Sequence, residues 1–341
     1  MWATPDVLDH PWVAAFRRTR AWRGFVELVG GPRRRLRILE PRPWADPYRP
    51  DLAVPRTMLS TEEIAMLHWF GRWYFRGRGQ IVDAGCFLGG STVALAEGVS
   101  GNPRLYRERR WIDSYDMFVM DWYAKREFFA DSPLQVGDSF YEEWRTAVEP
   151  WERFVSVHRG DVRAQTWGGE KVELLFLDVM KTVPVQTVVT ERWFPRLIAG
   201  RSILIQQDYV HEWQPWIIVS MELLRHYFLP LDYFDYGSAV YFCVRVPSRR
   251  TVEAADVGAL PLAVQLELMD RAATRMPAQY VPVIANARAK LLIDFRRYDE
   301  ARAAIEDVWR RWPEHARARS VGERLLAYAE NEAAKSVSAS A

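Results

Sequence analysis

The chain has 341 residues, enough for one large or two ordinary domains. Its 49% hydrophobic residues, 26% charged residues and net charge of +2 are ordinary for a globular protein, and they predict neither a nucleic acid nor a membrane partner. Two cysteines, Cys86 and Cys243, exclude a disulfide framework and a cysteine-rich zinc site, and their apolar neighbours predict buried thiols. The absence of a signal-peptide core and of an apolar run of about 18 residues predicts a cytoplasmic protein.

The first predicted segment, residues 1–56, is rich in Arg, Pro and Trp. Its basic run at residues 33–37 predicts a solvated arm or lid, and a docking patch for an anionic partner is the alternative. A helix is predicted next, because Ser60 and Glu63 form a capping box and apolar residues follow at helical spacing over residues 64–70.

Strands and helices alternate over a predicted domain at residues 57–247. The strand-like runs are QIVDAG, RRWIDSYDMF, FVSVHRGD, VELLFLDVM and RSILIQQDY, and the helix after the fifth run is predicted from about residue 213 to residue 227. This order predicts an α/β fold with a doubly wound, mostly parallel, Rossmann-like sheet and helices on both faces. The run LDYFDYGSAVYFCVRV predicts a terminal hairpin that adds an antiparallel edge strand.

Beyond Pro247 the pattern is helical only, which predicts an appendage of two to four helices at residues 248–332. Its break near Arg297–Tyr298 and its Pro313 resemble a single tetratricopeptide unit. Because one unit does not make a stable solenoid, we expect these helices to pack on the first domain and to offer a surface for a protein contact or homo-oligomer. Residues 333–341 are predicted to be a disordered tail.

The run IVDAGCFLGGSTVALAEGV, residues 81–99, places a glycine loop between the first strand and a helix. A dinucleotide loop needs glycine where Phe87 stands, and a phosphate-binding P-loop needs a lysine that is missing here. A tight turn without a ligand is the alternative to a cofactor loop. The candidate cofactor-binding residues in this loop are Asp83, Gly85, Phe87, Gly89, Gly90 and Ser91.

Acidic residues stand at the ends of the later strands, where an open α/β sheet binds its ligands. Asp116, preferred over Asp113, can accept hydrogen bonds from both hydroxyls of a ribose. Asp161 can accept a hydrogen bond from an adenine amino group, and a turn aspartate is the alternative interpretation of this residue.

The ends of the fourth and fifth strands predict a divalent cation site. Asp178, Gln207 and Asp208 supply oxygen ligands of the kind that Mg²⁺ prefers. Lys181, three residues after Asp178, is the first candidate for a general base, and His211 is the second. The alternatives are a turn-forming aspartate, a solvated lysine and a histidine that caps the next helix.

From about residue 56 to residue 246 the chain resembles the macrocin O-methyltransferase-like branch of the class I S-adenosylmethionine-dependent methyltransferases. More distantly it resembles the catechol and caffeoyl-CoA O-methyltransferases. DAGCFLGGS corresponds to the glycine loop, YDMF to the ribose-binding strand end, and DVMK to an Asp-x-x-Lys metal-and-base motif. QQDY stands where macrocin-type enzymes have Asp-Asp-Tyr, so Gln207 removes one negative charge, and Met180 replaces an acid of some relatives.

The resemblance implies S-adenosyl-L-methionine and Mg²⁺ as cofactors, and methyl transfer to a hydroxyl of a small molecule or sugar. A metal-independent methyltransferase acting on N, S or O is the first alternative. A non-catalytic cofactor-binding scaffold with a helical interaction tail is the second.

Overall fold

The structure is a computed structural model. It describes residues 36, 39, 42–45, 48–105, 109–234 and 237–338. The arginines of the basic run at residues 33–37 therefore lie outside the described residues, and so does the end of the chain from residue 339.

The described residues contain one seven-stranded sheet. Its strands are β1 Gln80–Ala84, β2 Ile112–Asp116, β3 Val155–Arg159, β4 Val172–Leu177, β5 Ile203–Gln206, β6 Phe228–Tyr233 and β7 Ala239–Cys243. They are ordered β3-β2-β1-β4-β5-β7-β6, and β1 to β5 pair in parallel. The predicted α/β class, with a mostly parallel Rossmann-like sheet, is confirmed.

The terminal hairpin is present, but the prediction of an antiparallel edge strand was wrong. Strand β7 is antiparallel to both of its neighbours and lies between β5 and β6, so that β6 forms the edge. All five residues of β7 are buried, as expected for an interior strand. The sequence shows that two strands form a hairpin, but it does not show which of them pairs with β5.

Helices cover both faces of the sheet, as predicted. Those that precede the hairpin are α1 Thr61–Trp69, α2 Gly90–Ser100, α3 Trp122–Glu127, α4 Tyr141–Val148, α5 Val183–Trp193 and α6 Pro215–Leu223. Neighbouring residues of β1 point to opposite faces, so Ile81 packs in the core under α1 and α2, and Val82 packs in the core under α5 and α6. Helix α6 is shorter than the predicted range of 213–227: it begins at Pro215, which forms its first turn, and it ends at Leu223.

The C-terminal segment is helical, as predicted. Its helices are α7 Arg249–Glu253, α8 Leu262–Ala273, α9 Val281–Asp294, α10 Tyr298–Arg311 and α11 Ala316–Ser338. The break between α9 and α10 lies at the predicted position, and α10 ends before Pro313. Helix α11, however, continues through residues 333–338 of the predicted disordered tail, because the run AENEAAK is rich in helix-forming residues.

Part of the N-terminal segment is packed rather than solvated, which corrects the prediction of a solvated arm for these residues. Leu36, Leu39 and Trp44 are buried in the core on the α1 side of the sheet. The Trp44 ring contacts the rings of Trp69 and Phe70, with centroids 5.6 and 5.0 Å away. Burial of these large apolar side chains holds the segment against the domain.

Two further predictions from the composition concern the state of the cysteines and membrane-spanning segments. Cys86 and Cys243 are free and buried, as predicted. Across the described ranges, no helix combines the length and the hydropathy that are needed to cross a bilayer.

Candidate functional site

A cavity of about 390 Å³ opens at the carboxyl ends of β1, β2 and β4. The glycine loop, the two strand-tip acids and part of the Asp-x-x-Lys motif all face it, as expected for the ligand crevice of an open α/β sheet. The predicted site residues that line it are Gly85, Phe87, Asp116, Asp161, Asp178 and Lys181.

Gly85 brings the glycine loop into direct contact with the end of β4. Its φ of +91° favours glycine, and a Cβ atom here would lie 2.6 Å from the carbonyl oxygen of Asp178. The backbone N–H of Asp178 also donates to the carbonyl of Ala84 at 2.7 Å. Any larger residue at position 85 would therefore separate the loop from the strand end that carries Asp178.

Asp83 holds the loop to the first turn of α2 rather than facing the cavity. It is fully buried, and its carboxylate accepts hydrogen bonds from Ser91 Oγ at 2.9 Å and Thr92 Oγ1 at 2.5 Å. Burial raises the pKa of Asp83 to about 6, although these two hydroxyls oppose the shift.

Three other loop residues also lie away from the cavity wall. Ser91 is buried with Asp83, Gly89 lies against Trp144 and Val148, and Gly90 lies against Thr57. Cofactor contacts by Asp83, Ser91 and these two glycines stay a prediction.

Asp116 shapes the cavity by holding two strained backbone positions. Its Oδ2 accepts from the backbone N–H of Phe87 at 2.8 Å, and its Oδ1 accepts from that of Phe118 at 2.7 Å. Phe87 and Phe118 both have positive φ, which is uncommon for residues other than glycine. Burial raises the pKa of Asp116, and these backbone donors oppose the shift. Strain that is maintained in this way is characteristic of binding sites.

Asp161 lies at the rim of the cavity and already has a cationic partner. Its carboxylate accepts from Arg163 Nη2 at 2.6 Å and from Arg163 Nε at 2.9 Å. The hydrogen bonds from Arg163 lower the pKa of Asp161. The carboxylate is therefore ionised and held in a fixed orientation beside the cavity.

Lys181 connects the ends of β4 and β5. Its Nζ donates to Asp178 Oδ1 at 2.5 Å and also to Asp208 Oδ2. Burial alone would lower the pKa of Lys181, because it disfavours the charged ammonium. The negative charges of Asp178 and Asp208 outweigh burial and raise the pKa of Lys181 above its usual value. This shift keeps Lys181 protonated, which is the opposite of what its predicted role as a base requires.

The two carboxylates of this cluster titrate differently. Burial and the nearby charge of Asp208 raise the pKa of Asp178 to about 7, although Lys181 opposes the shift. Burial also acts on Asp208, but Lys181 and His211 outweigh it and lower the pKa of Asp208. Asp178 therefore holds a proton more readily than Asp208 does.

Gln207 and His211 do not join the Asp178–Lys181–Asp208 cluster directly. The amide oxygen of Gln207 accepts from Ser238 Oγ at 2.5 Å, and Ser238 immediately precedes β7. His211 Nδ1 accepts from the backbone N–H of Trp213 at 3.3 Å and does not cap α6, which begins at Pro215.

These residues, as arranged, do not fit a magnesium ion. The ammonium of Lys181 already contacts both carboxylates, and the third predicted ligand, Gln207, is committed to Ser238. In the part of the chain that the structure describes, no group of three or more His, Cys, Asp or Glu side chains is arranged to hold a metal. The predicted magnesium site stays a prediction, and no chemical step below depends on it.

Sequence reasoning missed two residues that support the site. The sequence predicts Glu63 only as part of the capping box, yet its Oε1 also accepts from the backbone N–H of Ser238 at 3.0 Å. Thr57 packs against Gly90 from the N-terminal segment. A capping box signals Glu63 as a helix residue only, and no sequence pattern points to Thr57.

Comparisons with known proteins give no further identification. No protein-family model matches the chain, and no curated protein matches it.

Proposed function

We propose that the protein is an S-adenosylmethionine-dependent methyltransferase that acts on a hydroxyl of a small molecule. One observation carries the proposal: the glycine loop at Gly85, the strand-tip acid Asp116 and the Asp178–Lys181 pair line one cavity. The mostly parallel sheet with a terminal hairpin supports it, because this is the order of elements that the family resemblance implies.

The residues of the cavity suit a nucleoside that carries a charged, flexible tail. Asp116 and Asp161 would hold its polar edges, and the apolar walls at Phe87 and Val162 would cover its base. When bound, S-adenosylmethionine supplies a methyl group on a sulfonium, which a nucleophilic oxygen can attack in line.

The Asp178–Lys181–Asp208 cluster would orient the acceptor. The protonated Lys181 can donate a hydrogen bond to the acceptor oxygen, and Asp178 can take the proton of the hydroxyl because its raised pKa makes it a stronger base than an ordinary carboxylate. Holding the oxygen in line with the methyl group then contributes most of the rate enhancement. A cationic side chain between two carboxylates favours the metal-independent version of this reaction.

The mouth of the cavity favours an acceptor with an apolar face beside its hydroxyl. Met58, Met117, Val119 and Tyr123 line the cavity and are exposed. Large apolar side chains that are exposed together usually mark a binding surface. A sugar could meet this surface through the apolar face of its ring, so small molecules and glycosides both remain within the proposal.

Calorimetric titration with S-adenosylhomocysteine tests the cofactor assignment. We expect Asp116→Asn to weaken binding at least about tenfold, because a charged acceptor that holds the Phe87 loop is lost. Asp113→Asn is the matched control, since Asp113 lies on the same strand but pairs with His158 and Gln80. Absence of binding to the unmodified protein would refute the proposed function.

Turnover assays on a panel of hydroxyl acceptors test the chemistry. Lys181→Met should lower kcat by about 100-fold and leave the affinity for S-adenosylhomocysteine unchanged. Activity that survives a chelator supports the metal-independent reaction, and activity that returns only with Mg²⁺ supports the magnesium site. Cofactor binding without turnover on any acceptor would favour the scaffold alternative.

A further inference from the structure

We propose that the C-terminal helices support the site from outside it: α11 holds the loop of residues 208–214 in place through the buried carboxylate of Glu212. This loop joins β5 to α6 and carries Asp208 and His211. The catalytic meaning of the inference rests on the proposed function, whereas the positioning role can be tested without it.

Glu212 is buried completely and meets two arginines of α11. Its Oε1 accepts from Arg324 Nη2 at 3.2 Å, and its Oε2 lies 3.7 Å from Arg317 Nη2. Burial of a carboxylate is costly unless cationic partners compensate for the lost water. The charge of this loop residue is therefore compensated from a helix more than 100 positions away in sequence.

The next residue of the loop, Trp213, binds the same helix through its ring. Its ring meets that of Tyr328 edge to face, with centroids 5.4 Å apart. Lys290 Nζ of α9 lies 5.7 Å from the Trp213 ring and 5.3 Å from the Tyr328 ring. Lys290 also donates to Asp294 of the same helix. The adjacent loop residues Glu212 and Trp213 therefore both contact α11, and Trp213 contacts α9 as well.

The other end of this loop contacts the site. Asp208 has a positive φ of 59° and accepts from Lys181, so its backbone must be held in an uncommon conformation. Trp216 Nε1 donates to the carbonyl of Met180 at 2.9 Å, which joins the start of α6 to the segment between Asp178 and Lys181. Movement of residues 212–216 would therefore shift Asp208 relative to Lys181.

The contact of α11 with Glu212 is polar, whereas much of the packing of the C-terminal helices on the sheet domain is apolar. Elsewhere the helices meet the sheet domain through apolar side chains such as Leu268 and Ile284, and also through the ion pair of Arg275 with the buried Glu222 of α6. At the loop, a fully buried carboxylate accepts one hydrogen bond, from Arg324, and has Arg317 within ion-pair distance, so removal of both arginines would leave an uncompensated buried charge in the segment that carries Asp208. Glu212, Arg317 and Arg324 are therefore positioning residues.

Hydrogen exchange on the full chain tests this role. In Arg317→Ala/Arg324→Ala we expect the amides of residues 208–214 to exchange about tenfold faster, with residues 85–91 unchanged. Arg302→Ala is the matched control, because it removes an exposed pair between α10 and α11 that does not touch the loop. Unchanged exchange at residues 208–214 in the double variant would overturn the inference.

Two further variants test whether the effect on the loop is local or only reflects a general loss of stability. Glu212→Gln keeps the shape of the side chain without its charge, and it should also raise exchange at residues 208–214. Arg324→Lys, with Arg317 intact, keeps the charge and should retain most of the protection. An increase in exchange spread evenly over the chain in Glu212→Gln would instead indicate general destabilisation and count against the inference.

Kinetics then connect the positioning role with the reaction. The double variant should lower kcat about tenfold and leave the affinity for S-adenosylhomocysteine unchanged, because the loop carries Asp208 and not the cofactor residues. A loss of cofactor affinity of the same size would contradict this assignment. If the unmodified protein methylates no acceptor, the proposed function fails, and the exchange experiment still decides the positioning role.

Discussion

At the scale of single residues, the site depends on a few backbone positions that most amino acids avoid. Gly85, Phe87 and Asp208 all have positive φ, and each lies beside the cavity or the Asp178–Lys181–Asp208 cluster. Side-chain hydrogen bonds hold two of them: Asp116 binds the Phe87 N–H, and Lys181 binds Asp208. The candidate site residues are thus also the ones that maintain the strained conformation.

Gly85→Ala should destabilise the protein more than an equally strained substitution elsewhere. Gly137 has a similar φ of +97° but open space around it, so Gly137→Ala measures backbone strain alone, about 1–2 kcal/mol. Gly85→Ala adds a clash with the Asp178 carbonyl, and we expect at least about 1 kcal/mol more and a loss of S-adenosylhomocysteine binding. Urea unfolding and calorimetry measure both effects, and equal losses of stability would contradict this account.

Asp83 should make stability depend on pH in a defined direction. Its pKa is about 6 when folded and about 3.9 when unfolded, so folding takes up protons between these values. The protonated form of Asp83 therefore contributes its whole stabilisation to the unfolding free energy below pH 4, and this stabilisation is lost as the pH rises through 6. Between pH 5 and pH 8, the wild type should lose about 1 kcal/mol more unfolding free energy than Asp83→Asn.

Urea unfolding of both proteins at four pH values across this range measures the difference. Asp161→Asn serves as the control, because the pKa of the half-buried Asp161 is lowered and its titration lies below this range. Curves for wild type and Asp83→Asn that run parallel from pH 5 to pH 8 would be inconsistent with a raised pKa.

At the scale of elements, α1 is connected to the hairpin through its own cap. Glu63 Oε2 accepts from the N–H and the hydroxyl of Ser60, which completes the capping box. Its other oxygen accepts from the N–H of Ser238, at the start of β7. One buried carboxylate therefore begins a helix and also binds the strand that is inserted between β5 and β6.

Substitutions in the cap should separate these two roles. Ser60→Ala loses only the N-cap and should cost about 1 kcal/mol. Glu63→Ala also leaves the buried Ser238 N–H without its acceptor and should cost about 3 kcal/mol. Urea unfolding measures both, with the exposed Glu62→Ala as a control expected near zero. Equal costs for the first two variants would show that the bond to Ser238 contributes nothing.

At the scale of the whole molecule, segments distant in sequence are joined to the sheet domain by buried acids. Glu212 binds α11, and Asp232 on the edge strand β6 binds the N-terminal segment. Asp232 is fully buried and accepts from Trp44 Nε1 at 2.8 Å and Arg42 Nε at 2.7 Å. Each acid compensates its burial with donors that the other segment supplies.

Arg42→Ala should therefore destabilise the protein by about 2 kcal/mol, because it leaves the buried Asp232 without a cation. Asp232→Asn in the Arg42→Ala background should recover part of that loss, since no buried charge remains. Arg49→Ala is the control: Arg49 lies 3.6 Å from Glu62 in an exposed pair, which is expected to contribute less than about 0.5 kcal/mol. Thermal or urea unfolding of the four proteins would refute the prediction if Arg42→Ala matched Arg49→Ala.

Much of the fold was predictable because local physics dictates it. The alternation of apolar runs and helical patterns determined the α/β class, the capping box at Ser60 determined the start of α1, and Pro313 marked the end of α10. The same patterns placed Asp116 and Asp178 at strand ends, which one edge of a parallel sheet brings together.

Long-range pairing could not be predicted from the sequence. The position of β7 between β5 and β6, the burial of Trp44 and the contact of Glu212 with Arg324 all join residues far apart in the chain. The state of Lys181 belongs here too, because its protonation depends on carboxylates from two different strand ends. The sequence by itself determined the elements and the candidate residues. Only the tertiary structure decided their partners and charges, since burial and electrostatics depend on neighbours that local patterns do not specify.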